Sequence, residues 1–187
     1  MSPRASKRDD LLRSATALVA EHGYSALTLD AVGARSGVSK GGVLYHFRTK
    51  EALVAGLLER LVTDFEVEQQ TAYDTDPITP GAWTRAYVAA SDAPPAVDDA
   101  QPASAAILAA VGHDPSLLAP LQDRYRTWVD RLESDELPGV DAHVVRLAAD
   151  GLWAADLFGL APPTPALRAR IRARLDELAR AGEESGT

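Results

Sequence analysis

Apolar residues recur along this chain at intervals of three and four rather than two, which is the period of helices. Leu11, Ala15, Leu18, Val19 and His22 share one face of a first helical segment. Ser6 stands before it as an N-cap, with Asp9 completing a shortened capping box, and Gly23 supplies a stop. Thr28 and Gly37 bracket a short helix over 29–36. Ser39 opens another that runs to about His46. Thr49 caps a long fourth helix, 50 to about 73, with Ala52, Leu53, Gly56, Leu57, Leu61 and Phe65 on one stripe. Each cap is worth about 1 kcal/mol, so four in series set the boundaries more firmly than propensity does.

Beyond residue 73 proline takes over the punctuation. Thr79-Pro80, Gln101-Pro102, Asp114-Pro115 and Thr164-Pro165 each place Pro at a first helical position, where its missing N–H costs nothing. The pattern predicts helices over roughly 80–90, 102–112, 115–134, 141–160 and 165–181. Leu167, Ile171, Leu175 and Leu178 form one face of the last. The polar, Pro-rich segment SDAPPAVDDAQ, from Ser91 to Gln101, predicts a mobile loop. The expectation is an all-α chain without internal repeats.

Composition narrows the function classes. With 187 residues and 46% hydrophobic positions the chain is globular. It has no cysteine, which excludes disulfides and cysteine-bound zinc. No apolar run approaches the roughly 20 residues of a membrane span. The charged start MSPRASKRDD predicts no secretory leader and a cytoplasmic location. The net charge of −8 is unevenly spread: residues 1–60 carry nine Lys and Arg against six Asp and Glu, whereas residues 61–187 are strongly acidic. All three lysines, Lys7, Lys40 and Lys50, lie in the first third. A small polyanion-facing module on an acidic body fits this asymmetry, as does chance clustering.

The two short helices meet at Gly37-Val38, the arrangement of a helix-turn-helix. Gly37 tolerates the left-handed conformation the turn needs, and Val38 can plug the space between the helices. In such a motif the N-terminal residues of the second helix enter the major groove. Here they are Ser39, Lys40, Gly41 and Gly42. The first two can bond phosphates or base edges. Two glycines cost a helix about 1 kcal/mol each, which points to a close backbone approach to DNA. Tyr45, His46 and Lys50 follow at spacings that reach the flanking phosphates. Arg4, Lys7 and Arg8 suit either a DNA-following arm or plain solvation.

Residues 7–60, above all GVSKGGVLYHFRTKEAL (37–53), resemble the DNA-binding domain of the TetR family of transcriptional repressors. The stretch TLDAVGARSGVSKG and the YHF-x-x-K ending carry the likeness. The resemblance implies DNA contacts at Thr28, Ser39, Lys40, Gly41, Tyr45, His46 and Lys50, with Leu44 and Phe47 in the core. It also implies an N-terminal three-helix reading domain, 1–50, and a helical ligand-binding and dimerisation domain, 51–187. A homodimer would bind a palindromic operator in double-stranded DNA and answer to a small-molecule inducer. RLAADGLWAADLFG (146–159) is similar to the penultimate helix of a subgroup that includes multidrug-responsive repressors. There the last two helices of each subunit form the dimer interface; here they would be 141–160 and 165–181, with Ala148, Ala149, Gly151, Ala154 and Ala155 allowing close approach.

Family members place the ligand between the long fourth helix and those after it. Phe65, Trp83, Tyr87, Trp128 and Trp153 could line that cavity, although aromatics at helical spacing also make ordinary core. Asp150 and Asp156 lie in an apolar helix and need a partner, a wet cavity or a cationic ligand. Arg146, at i−4, is the rival partner for Asp150. The ligand expected is lipophilic or aromatic and could be cationic. Arg168, Arg170, Arg172 and Arg174 read as the solvated face of the last helix.

Two other classes compete with this reading. Gly37-Val38-Ser39-Lys40-Gly41 matches the G-x-S-x-G of serine hydrolases, which requires a preceding strand; residues 29–36 read as helix. A helical interaction module without DNA binding is the second. His22, His46, His113 and His143 lack metal-site spacing. Neither catalysis, a metal nor a cofactor is expected.

Overall fold

The computed structural model describes residues 6–92 and 114–180, together with residues 104, 107, 108 and 110–112. Among them the backbone is helical, with no strand. The chain divides into two compact units: residues 1–62 with 95–121, and residues 63–94 with 122–187.

In the first unit, α1 (Lys7–His22) is entered through the predicted capping box, Ser6 and Asp9 bonding each other's backbone N–H. The Ser6 hydroxyl, which donates to the Asp9 carboxylate at 2.7 Å, and the Ser6 N–H together hold that carboxyl below its ordinary range. Gly23, with φ of 77°, ends the helix. A 3₁₀ turn, Tyr24–Ala26, leads to α2 (Leu29–Ser36), capped by Thr28 and closed by left-handed Gly37. Next come α3 (Lys40–His46), capped by Ser39, and α4 (Lys50–Thr75), where Thr49 Oγ1 accepts the Ala52 N–H at 3.1 Å. Leu11, Leu12, Leu27, Val32, Val43, Phe47, Leu53 and Leu57 are buried, each such side chain contributing about 1.5–3 kcal/mol. Gly56 belongs in this packing: a Cβ there would stand 2.8 Å from the Phe47 ring and 3.3 Å from Leu12. Of the segment predicted helical over 102–112, the described residues are helical, and Ser104, Ile107 and Ala110 are buried.

One expectation for this unit, a buried Leu44, is corrected, and two residues of the predicted faces lie in solvent. His22 is exposed because α1 ends on it. Ala52 is exposed because the buried stripe of α4 is centred on Leu53, Gly56 and Leu57. Leu44 is 40% exposed, since Val43 takes the inner face of short α3 and Leu44 lies about 100° round from it.

The second unit holds the rest of α4 with α5 (Ala82–Asp92), α6 (Ala119–Glu133) from Gln122 onward, α7 (Gly139–Phe158) and α8 (Pro165–Leu178). A 3₁₀ turn, Pro115–Leu118, precedes α6 and carries the Asp114 cap and Pro115; the predicted 115–134 helix thus begins as a tighter turn. Thr164 caps α8 with Pro165 at its first position, as predicted. Pro80 does not start a helix. It follows a cis peptide bond and precedes Gly81, whose φ is 85°, and α5 begins at Ala82. Its cap comes from far along the chain: Asp135 accepts the N–H groups of Trp83 (3.1 Å) and Thr84 (2.7 Å) and the Thr84 hydroxyl (2.8 Å). Ser91 and Asp92, predicted as loop, end α5; the remainder of that predicted loop and the Gln101-Pro102 start lie outside the described residues.

Buried Arg85 stitches the ends of this unit together. Its guanidinium donates to Asp76 at 2.7 Å, to the Pro80 carbonyl at 3.0 Å, to the Ala179 carbonyl at 2.8 Å and to the Ile78 carbonyl. A Cβ at Gly81 would meet the Ala179 carbonyl oxygen at 2.1 Å, so only glycine lets α5 begin so close to the end of α8. Of the α8 arginines, Arg170, Arg172 and Arg174 are exposed and Arg168 is half-buried. Arg168 pairs with Asp92 and Asp156, Arg172 with Asp92, and Arg174 with Glu177.

Candidate nucleic-acid interface and ligand-binding interior

The exposed residues at the start of α3 form the first candidate site. Ser39, in extended backbone, accepts the Gly42 N–H at 3.3 Å and so satisfies one of the amides that a helix start leaves without an intrahelical partner. Such a helix start attracts phosphate oxygens. Lys40 lies 3.2 Å from Asp30, both side chains 73% exposed. An exposed pair of this kind contributes little, so the ammonium is free to exchange partners. Tyr45 is 84% exposed, with His46 edge-on to its ring at 5.0 Å. Exposed Thr28 caps α2 by accepting the Ala31 N–H at 3.1 Å.

The two glycines of α3 differ. A Cβ on Gly41 would meet nothing within 4 Å, whereas one on Gly42 would stand 2.7 Å from Val38 Cγ1. Gly41 leaves the outer surface open. Gly42 makes room for the plug residue of the turn. Lys50 also serves the fold: its ammonium donates to the Tyr24 carbonyl at 2.9 Å and sits 3.7 Å from the centre of the Tyr24 ring. Burial there lowers its pKa.

The Ser39 of the G-x-S-x-G match follows helix α2 and its hydroxyl caps α3. Among the described residues no strand presents it and no base bonds its hydroxyl. Among the described residues, no group of His, Asp or Glu is placed to hold a metal ion, and no helix is long and apolar enough to cross a membrane.

The second candidate site is the interior of the second unit. Phe65, Tyr87 and Trp128 come together, with ring centres 5.2 Å (Phe65–Tyr87), 4.8 Å (Phe65–Trp128) and 6.2 Å (Tyr87–Trp128) apart. Asp150 joins them from α7. It accepts from the Tyr87 hydroxyl at 2.6 Å, the Tyr125 hydroxyl at 3.4 Å and Arg146 at 2.9 Å. Burial first, then neighbouring charge, pushes both tyrosine hydroxyls above their ordinary pKa, so they stay protonated donors. Trp128 donates its indole N–H to Glu66 at 3.1 Å. Trp83 belongs to a neighbouring cluster, 5.5 Å from Tyr73 with Arg131 stacked 3.4 Å above its ring centre. Trp153 is 40% exposed and stands apart from both clusters.

Gln69 is the interior residue the sequence reading passed over. It is fully buried on α4, and its spacing four beyond Phe65 was the available signal. A cleft of about 490 Å³ opens nearby, walled by residues that include Ala72, Asp76, Arg85, Ala86 and Arg172.

Comparison with known proteins adds an independent line. Residues 11–57 match the family described as "Bacterial regulatory proteins, tetR family", and residues 81–180 match "Tetracyclin repressor-like, C-terminal domain". An HTH-type transcriptional repressor, KstR2 of Mycolicibacterium smegmatis, is 34% identical over 64 residues, which are 34% of this chain and 29% of that protein. A putative transcriptional regulator of Pseudomonas aeruginosa PAO1 superposes with a TM-score of 0.70 at 23% identity, covering 92% of this chain and 90% of its own. The ketosteroid transcriptional regulator KstR2 of Mycobacterium tuberculosis superposes at 0.58 and 18% identity, covering 96% of each chain. At these identities the two structures speak for the fold alone.

Proposed function

The chain belongs to the TetR family, whose members are ligand-responsive transcriptional repressors, and we propose that it binds a palindromic operator as a homodimer and leaves it when a small molecule enters the second unit. The observation that carries this reading is the exposed start of α3. Ser39, Lys40, Gly41 and Tyr45 offer an anion-seeking helix terminus, an exchangeable ammonium, an open backbone and an exposed phenol. These are the groups a recognition helix needs at phosphates and base edges. Residues 1–50 form the reading domain in this account, and residues 51–187 bind ligand and dimerise. Thr28, His46 and Lys50 flank the reading surface, with Lys50 held back by Tyr24. Operator binding places the work in the cytoplasm and calls for neither cofactor nor catalytic step.

A homodimer through α7 and α8 is supported by the apolar face that α7 leaves in solvent. Val140, Val144 and Leu147, at successive turns, are 74%, 45% and 59% exposed, and Phe158 and Leu167 are half exposed. Two heads held this way would meet half-sites about 34–36 Å apart or a multiple of that. The α4 helix belongs to both units, with the division at Val62, so a ligand that displaces its second half acts on the reading domain. The coupling is reciprocal and typically about 1–3 kcal/mol. Phe65, Tyr87, Trp128 and Asp150, brought together around Tyr125, are the interior such a ligand meets. Trp83 joins through its own cluster, and Trp153 suits the outer face better.

Titration with random genomic duplex fragments at two salt concentrations tests the reading. Recovery of a shared palindrome at the higher salt supports it. Retention without a common sequence reduces it to non-specific affinity. Protein stripped of small molecules that retains nothing at either salt overturns it.

A further inference from the structure

The interior of the second unit holds polar groups with no hydrogen-bond partner. Neither Nε2 nor Oε1 of fully buried Gln69 is paired, and neither is the buried indole N–H of Trp83. Their places in the packing are related. On α4, Phe65, Gln69 and Tyr73 follow one another at four-residue steps; on α5, Trp83 and Tyr87 are four apart. Phe65 meets Tyr87, and Tyr73 meets Trp83. Gln69 therefore lies one turn from each ring pair, between them. Buried unpaired groups of this kind are expensive and few in native proteins.

The nearby carboxylate is already matched, while Arg146 keeps one buried, unpaired Nε–H. The Asp150 carboxylate is shared among Arg146, Tyr87 and Tyr125, which leaves it little attraction for a cation. The Trp83 face, the other natural cation seat, is covered by Arg131 at 3.4 Å and repels a second positive charge. Space lies close at hand. Ala72, one turn beyond Gln69, and Ala86, one turn beyond Trp83, both stand in the wall of the 490 Å³ cleft.

We propose that the ligand is a ring-bearing molecule without a positive charge, whose hydroxyl or carbonyl oxygen is held by Gln69 and Trp83. A hydroxyl accepts from the indole N–H and donates to Gln69 Oε1; a carbonyl oxygen accepts from both N–H groups. The aromatic cluster then takes the apolar body. This selection of ligand class rests on the ligand-released reading above.

Calorimetric titration of the full chain with 2-naphthol, naphthalene and (2-naphthyl)methylammonium tests it. Naphthol binds several-fold more tightly than either of the others, and Gln69→Met erases about three- to tenfold of that advantage. Met is nearly isosteric and leaves no buried amide, so the variant's melting temperature does not fall. Trp83→Phe carries the same comparison should Gln69→Met fail to fold. Preference for naphthol that survives both substitutions overturns the assignment and leaves the ligand-released reading standing, as does tightest binding of the ammonium compound. Saturable binding of none of the three overturns the assignment together with the small-ligand part of that reading.

Discussion

A Cβ on Gly42 would stand 2.7 Å from Val38 Cγ1. Gly42 therefore answers to the turn, and Gly41, one residue earlier, to whatever approaches from outside. Both were read from the sequence as close-approach positions. Only one of the two faces open space.

The pair gives a split prediction. Gly41→Ala leaves stability unchanged or raises it by up to about 1 kcal/mol, and it weakens retention of operator fragments. Gly42→Ala sets overpacking of about 1–3 kcal/mol against the same propensity gain, so its melting temperature falls. Thermal melts read beside fragment retention check both. A Gly41→Ala variant with undiminished retention removes the close-approach role.

Lys40 and Lys50 divide in the same manner. Lys40→Ala loses only an exposed pair with Asp30, so the fold is unmoved while operator binding weakens and the salt slope falls by about 1. Lys50→Ala loses the bond to the Tyr24 carbonyl and the seat over its ring, a loss of about 1–2 kcal/mol in stability. Denaturant unfolding of both variants, beside binding at several salt concentrations, separates the roles.

Acid weakens the second unit through Asp76. Burial alone would raise its carboxyl, but the hydrogen bonds from Arg85 and the Ile78 N–H outweigh burial and hold it below the ordinary 3.8. A lowered folded-state pKa stabilises the fold above the unfolded value, and the gain is lost as pH falls through the folded one. Stability thus declines below about pH 4, and Asp76→Asn flattens that part of the curve. At neutral pH the same variant leaves the buried guanidinium, still bonded to three carbonyls, without its counter-charge and costs about 3–5 kcal/mol. Unfolding curves between pH 2.5 and 7 measure both effects.

The α7 face predicts the assembly. Leu147→Asp, placed where the side chain is 59% exposed, leaves the monomer folded and shifts a sedimenting dimer toward the 19.9 kDa chain. Operator affinity falls with it, because each half-site is then bound alone. A wild-type chain that sediments as a monomer at all concentrations removes the palindromic reading.

The helix starts of the reading domain were legible because each is a local event. Ser6, Thr28, Ser39 and Thr49 cap their helices through residues three positions on, so spacing alone reveals them. The turn at Gly37, the stripe of α4 and the all-helical class follow from the same short-range periodicity. The start of α5 was not legible. Proline spacing put it at Pro80, whereas the carboxylate that caps it, Asp135, lies 51 residues beyond Thr84. Nor could spacing tell the reasons for Gly41 and Gly42 apart, or place Trp83 and Trp128 in separate clusters. Asp150 likewise had a carboxylate's needs on the page but not its partners, of which only Arg146 was a helical neighbour. Gln69 passed as one more polar residue until packing closed round it. Caps, turns and periodic faces depend on neighbours within about one turn, which a linear string contains. Burial and the pairing of distant groups depend on which helices meet, and that is settled when the whole chain minimises its exposed apolar surface together.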